Sequence, residues 1–254
     1  MTALDWTPAP GVAPRGRRII NHARTEASLM LRNGEQLLLA LIIPLGLLVA
    51  GRFLGDRVGL DQNVFPASVI ALALWSTSFT SLAITTAFER RYGVLERLVA
   101  TPLTRGDLIT GKALATASVA AAQVAVIAAV AVVLGWRPVL DPLSVLIAVV
   151  ASLLALVTFA GFALALAGRL RAEATLAVAN LIYLAVAAAG ALVLPVSAYP
   201  GWAQWPLMLT PFGALGETLR LASVGAVGTL PLLILAAWAA LALFVARKAF
   251  RWTS

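Results

Sequence analysis

The residues able to do chemistry in this chain are few, and one stretch gathers a compact group of them. Glu89–Lys112, reading ERRYGVLERLVATPLTRGDLITGK, holds five of the nineteen Lys and Arg residues and three of the eleven Asp and Glu residues, and long uncharged runs flank it on both sides. There is no cysteine and only one histidine, His22. Thiol nucleophiles, thiolate metal sites and disulfides are therefore excluded. No carboxylate pair, Ser/His couple or zinc motif lies within an uncharged run, so hydrolysis inside a membrane has no reagents. One stretch resembles a reactive motif. Gly106–Ala113, GDLITGKA, nearly follows the phosphate-binding pattern G-x-x-x-x-G-K-[ST], but the hydroxyl needed for magnesium is replaced by Ala113 and an apolar run follows at once. The chain is read as having no catalytic residue, no metal site and no nucleotide site of its own.

The crowded stretch instead suits docking. Val94, Leu95, Leu98 and Val99 recur at helical spacing, with Glu96 and Arg97 on the other side. Gly93 precedes this short helix, and Thr101-Pro102 ends it, because a residue before proline is pushed out of the helical region. The plainer alternative is a solvated connecting loop.

These residues must be positioned by membrane helices. Of the 254 residues, 61% are hydrophobic and mean hydropathy is +0.94, which marks an integral membrane protein. The net charge of +8 is carried by cations between apolar runs, so anionic lipid headgroups explain it better than nucleic acid does. Uncharged runs predict six spans, at 36–54, 64–88, 113–135, 143–168, 174–194 and 225–246. The first run, after its basic flank, is also compatible with a signal peptide, although an amphipathic helix already precedes it. The fifth run continues for 43 uncharged residues, but its second half carries Pro195, Pro200, Pro206 and Pro211 with Trp202 and Trp205. Repeated prolines break helices and tryptophan favours the headgroup level, so 195–220 is expected to re-enter the outer leaflet without crossing. Before the spans, 1–14 reads as a loose tail. In 15–33, Ile19, Ile20, Ala23, Ala27, Met30 and Leu31 share one helical face, opposed by Arg17, Arg18, Arg24 and Arg32, which predicts an amphipathic helix in the membrane interface. His22 falls on its polar side and is expected to be solvated.

The fold class expected is thus an all-α integral membrane protein, a single domain over 1–254. Six spans with both termini on one side put fifteen cations on that side and four on the other (Arg52, Arg57, Arg137 and Arg220), which makes the first side cytoplasmic. No charge lies deep in a span, which disfavours ion-coupled transport. The polar residues within spans are mostly hydroxyls. Ser76, Thr80, Gln123, Asn180 and Tyr183 either hydrogen-bond between helices or line a mildly polar path for an amphipathic substrate. Glu217 and Arg220, three residues apart, read as a local ion pair of little weight.

The stretch Glu89–Lys112 resembles the cytoplasmic segment of ABC type-2 exporter permeases, in which an ER-x-x-G-x-L-E-x-L-x-x-T-P core precedes R-x-x-L-I-x-G-K. The matching residues are Glu89, Arg90, Gly93, Leu95, Glu96, Leu98, Thr101, Pro102, Arg105, Leu108, Ile109, Gly111 and Lys112. Pro211, Glu217 and Arg220 are similar to a segment that precedes the family's last span. The resemblance looks closest to small drug- or lipid-exporting permeases, such as daunorubicin-resistance permeases. It implies a half-transporter in which two permease chains, identical or related, pair in the bilayer. Each would dock a separate ATPase that binds ATP and magnesium, so this chain needs no cofactor. It also implies that the 15–33 helix, with Arg17, Arg18, Ile20 and Arg24, and the 89–101 segment form the docking surface. An ATP-independent secondary transporter and a membrane scaffold remain the alternatives.

The topology can be tested directly because the chain lacks cysteine. Cysteines placed at Asp61 and Ser254 should react with an impermeant maleimide from opposite sides of the membrane; same-side reaction would exclude six spans with the termini together.

Overall fold

The computed structural model describes residues 11–32 and 34–249; 1–10, Asn33 and 250–254 lie outside it, as do the side chains of residues 35–39, Asp56, Val58, Val99, Arg105 and residues 246–249. The described chain is helical, with no strand among the described residues. The elements are α1 (Arg15–Arg32), α2 (Gly34–Leu54), α3 (Phe65–Trp75), α4 (Leu82–Arg91), α5 (Val94–Val99), α6 (Arg105–Val133), α7 (Pro142–Ala167), α8 (Ala172–Ala189), α9 (Gly201–Met208), α10 (Pro211–Ser223) and α11 (Thr229–Ala249). Helix starts follow side-chain caps. Thr104, Asp141 and Thr210 each accept hydrogen bonds from backbone N–H groups in the first turn of α6, α7 and α10, and Pro142 and Pro211 occupy the first position, where no N–H is needed.

Four helical stretches are long and apolar enough to cross a membrane: Phe65–Arg91, Gly106–Val133, Pro142–Ala167 and Ala172–Ala189. Ala40–Leu54 and Thr229–Val245 are shorter apolar helices. The expected fifth span, 174–194, is helical only to Ala189, and the chain then turns through Ala191, a non-glycine residue at φ 55°. In 195–220, α9 carries the exposed Trp202 and Trp205, whereas α10 is mostly buried.

The centre is the rod formed by α3, a π-helical turn at Ser76–Ser81, and α4. Every residue of α3 is buried, as a helix apolar on all sides requires. The rod touches α2, α6, α7, α8 and α10. At its middle, Trp75 stacks on Phe79 at 4.2 Å and meets Phe159 of α7 and Phe212 of α10 edge-on at 4.8 and 4.7 Å. Phe159 and Phe212 stack on each other at 5.4 Å. Such pairs contribute about 0.5–1.5 kcal/mol each beyond burial, so this aromatic knot ties three helices at one level.

The packing of α1 adds to the expectation of an amphipathic helix. α1 runs along the first turns of α6, and α2 continues alongside the same helix. His22 is buried rather than solvated. The face of α1 turned outward carries Arg17, Asn21, Arg24, Ser28 and Arg32, all exposed, while the buried His22 and Glu26 and the half-buried Ile19, Ala23, Ala27 and Met30 are turned inward. Of the apolar stripe read from sequence, Ile19, Ala23, Ala27 and Met30 are half-buried, and Ile20 and Leu31 at its edge are exposed.

α7 and α11 approach closely at Gly161, where a Cβ would come within 2.9 Å of the Ala242 carbonyl oxygen. Gly161→Leu should therefore push α11 away and cost about 1–3 kcal/mol by overpacking. A thermal unfolding series in detergent comparing Gly161→Leu with a lipid-facing substitution such as Val157→Leu should show the first destabilised and the second unchanged; equal midpoints would refute the close approach.

The charged end of the bundle

At one end of the rod, α4 turns into α5 through Tyr92 and Gly93. Gly93 sits at φ 66°, a left-handed conformation that side chains rarely adopt, so the chain can reverse in one residue. Leu95 is 1% exposed and anchors the short helix to the rest of the chain. Val94 and Leu98 are half-buried, whereas Glu96 and Arg97 project outward. Thr101 and Pro102 are exposed at its end, and Tyr92 is 62% exposed at its start. α6 then begins at Arg105 with a capping box, in which Asp107 accepts from the Thr104 N–H and Thr104 from the Asp107 N–H. Gly106–Ala113 is thus helix, not a phosphate-binding loop.

Beneath α5 lies an ion cluster that joins three helices. The Lys112 Nζ lies 2.9 Å from Glu26 Oε2 of α1 and 2.6 Å from Glu89 Oε2 of α4. His22 Nε2 is 3.6 Å from Glu26 Oε1, and its ring lies where a Cβ on Gly111 would be. Burial holds the His22 imidazole below the ordinary histidine range; Glu26 opposes this, Lys112 adds to it, and a backbone hydrogen bond at Leu108 opposes it. One turn earlier, the buried Asp107 takes the Arg15 guanidinium at 2.7 Å and Arg18 at 3.8 Å. Arg18 also donates to the Pro102 carbonyl, and so ties α1 to the segment after α5. Arg90 donates to the Leu170 carbonyl at 2.6 Å, and Arg91 pairs with Glu173 of α8.

The docking residues expected from sequence therefore separate into two sets. Glu89, Arg90, Leu95 and Arg18 are bonded or buried within the chain. Glu96, Arg97, Thr101, Pro102, Arg17, Ile20 and Arg24 face outward, and the Arg105 side chain lies outside the described residues. Leu95 corrects the expectation of a fully offered apolar face, since its side chain is already spent on the α5 anchor. Sequence reasoning missed His22, Glu26 and Asp107 as site residues. The four-residue spacing of His22 and Glu26 placed them on one helical face, but nothing in the pattern named their partners.

At the opposite end, Arg220 corrects another expectation. It is 3% exposed, not a surface partner. Its guanidinium donates to Ser68 Oγ at 2.9 Å, to the Leu192 and Ala191 carbonyls at 3.0 and 3.1 Å, and to Glu217 Oε1 at 2.9 Å. Glu217 also accepts from the Val196 N–H at 2.7 Å. α10, the loop after α8 and the start of α3 are bound by this one pair, and Pro211 opens the helix that carries it.

The candidate path residues do not form one surface. Gln123 is engaged: its amide oxygen accepts from Thr77 and its amide nitrogen donates to the Ala40 carbonyl, which joins α6 to the π-turn and to α2. Ser76 and Thr80 are buried in the π-turn, and Thr80 Oγ1 has no hydrogen-bond partner among the described residues. Asn180 is exposed on α8, with Tyr183 half-buried one turn on. The helix-joining reading holds for Gln123.

The family model for the ABC-2 type transporter matches residues 17–223, a stretch that takes in α1, the ion cluster, α5 and the Arg220 pair. The chain belongs to the ABC-2 type transporter family. No curated protein matches it. It is accordingly a multi-pass permease component of an ABC transporter, and membership implies a partner ATPase. In this ABC-2 chain, the match begins within α1, so the helix bound to Lys112 is part of the family's domain.

The cluster makes a sharp prediction. Lys112→Met leaves two buried carboxylates facing each other, a change expected to cost about 3–5 kcal/mol. Lys112→Met combined with Glu26→Gln and Glu89→Gln removes all three charges and should recover most of that loss. Thermal midpoints in detergent check this; a triple variant no more stable than Lys112→Met would show that the ions are not coupled.

Proposed function

We propose that this chain is the permease half of an ATP-driven exporter, moving an amphipathic small molecule (a drug, lipid or glycolipid) out of the cytoplasm or inner leaflet. It would cross the membrane six times with both termini cytoplasmic, pair with a second permease chain, identical or related, and dock a separate ATPase that binds ATP and magnesium. The observation that carries the reading is α5. It presents Glu96 and Arg97 outward while Leu95, Gly93 and the Arg18–Pro102 contact fix it to the bundle. A charged helix held this firmly is suited to receive force, because motion at α5 passes directly into α4 and α6. The fifteen-to-four distribution of cations supports placing this end in the cytoplasm. Tyr92 joins the expected docking residues, since its ring is exposed beside Arg91, 5.7 Å from that guanidinium.

Glu96→Lys should weaken ATPase docking by about 2–5 kcal/mol if Glu96 meets a cation in the interface, while leaving the helices folded because Glu96 makes no contact that holds α5. Thr101→Ala should do much less, since Pro102 still ends the helix. Co-purification of the ATPase and its stimulated hydrolysis in vesicles measure both. Parental docking and hydrolysis in Glu96→Lys would return α5 to the status of a solvated connector.

A further inference from the structure

At the end of the bundle away from α5, two cavities of different character meet. The first, about 220 Å³, is of mixed character, lined by Arg52, Gln62 and Asn63 and by Phe65, Leu134 and Trp136 among others. Its rim is built from three side-chain-to-backbone bonds, each 2.8 Å: Arg52 Nε donates to the Leu134 carbonyl, Gln62 Nε2 to the Gly51 carbonyl and Trp136 Nε1 to the Asn63 carbonyl. The turn that presents Trp136 is equally fixed. Gly135, at φ 103°, closes α6, with the Trp136 N–H bonded back to the Ala131 carbonyl. Arg52 uses only Nε in this rim; its two terminal nitrogens make no hydrogen bond or ion pair among the described residues. Asp61, the nearby acid whose bonds are described, accepts from the Asn63 N–H of its own turn.

The second cavity is an apolar groove of about 840 Å³ between α6 and α7. Ala125 and Val132 form one wall, Val149 and Leu153 the other, and Ile70 and Leu219 the floor. It extends along α6 from Ala117 to Val132, about 22 Å at helical rise. That exceeds half of a hydrocarbon core of about 30 Å. The two cavities share Trp136 and stand on consecutive turns of α3, Phe65 and Pro66 in the first, Ala67 and Ile70 in the second.

We propose that pocket and groove together form one binding site for an anionic amphiphile of the leaflet opposite α5. An acyl chain lies in the α6–α7 groove, and a phosphate or carboxylate head accepts from the two terminal nitrogens of Arg52, the fork geometry that guanidinium offers to such groups. Trp136, apolar on its ring and bonded at its N–H, forms the wall between head and tail. A long apolar slot with Arg52 as the one cation among the lining residues of the two cavities matches an amphiphile; a transmembrane helix from a second copy has no use for that charge. The site depends on neither the direction of transport nor ATPase docking.

The test uses the whole chain in vesicles with phosphatidylglycerol or phosphatidylcholine brominated on the acyl chains. Tryptophan quenching in the parent minus that in Trp136→Phe isolates Trp136. The anionic lipid should quench at about fivefold lower mole fraction than the zwitterionic one, the preference expected of one basic residue at the headgroup level. Arg52→Gln should lose this preference while quenching by the zwitterionic lipid persists, and Val149→Trp, which fills the groove, should reduce quenching by both. Equal quenching of the parent by the two lipids, or an unchanged preference in Arg52→Gln, overturns the proposal. Excess inorganic phosphate at constant ionic strength should leave the preference intact; if it abolishes the preference, the head pocket holds a soluble anion and the two-part site fails. A cysteine at Val149 should react with a membrane-soluble maleimide; if oxidation instead links two chains through it, the groove is an interface between copies and the proposal is wrong.

Discussion

The Lys112 ammonium between Glu26 and Glu89 is the contact on which the charged end of this protein depends. It is a buried cation at the boundary of an apolar bundle, and its two carboxylate partners come from helices far apart in sequence. Burying an ion is costly unless it is paired. Once Lys112 is buried, α1 and α4 must both remain beside α6, and Asp107 with Arg15 and Arg18 repeats the arrangement one turn away. His22 completes the contact, with its ring packed on Gly111. The amphipathic helix thus becomes part of the bundle, with its arginine-bearing face turned outward.

The far end uses the same physical device. Arg220 is buried and bonded to Glu217, a hydroxyl and two carbonyls, so the irregular chain after α8 has its carbonyls satisfied by a guanidinium. Between these two ends, the Trp75–Phe79–Phe159–Phe212 knot fixes the rod without any charge. The π-turn next to it breaks the regular helix ladder in the most buried element of the protein, a feature that often marks functional positions in helices. A rod clamped at both ends and irregular in its middle is well placed to convert a push at α5 into a change of helix packing, as the proposed ATPase docking requires.

Sequence by itself determined the helical membrane class and the family. Apolar runs have no alternative in a bilayer, where backbone groups must be satisfied within helices, and the Glu89–Lys112 motif is local, so its residues were in plain order along the chain. The start and stop of α5 were likewise legible, because Gly93 and Thr101-Pro102 act on their own backbone. Tertiary structure alone decided which charged residues are offered and which are consumed. Glu96 and Glu89 look alike in the motif, yet one faces outward and the other is buried on Lys112. His22 and Arg220 read as surface residues because helical periodicity reports a face, not what packs against it. Their partners, Glu26, Lys112, Ser68 and the carbonyls after α8, lie up to 152 residues away in the chain. Long-range pairing of this kind leaves no periodic trace in a sequence, since it depends on how whole helices are set beside one another.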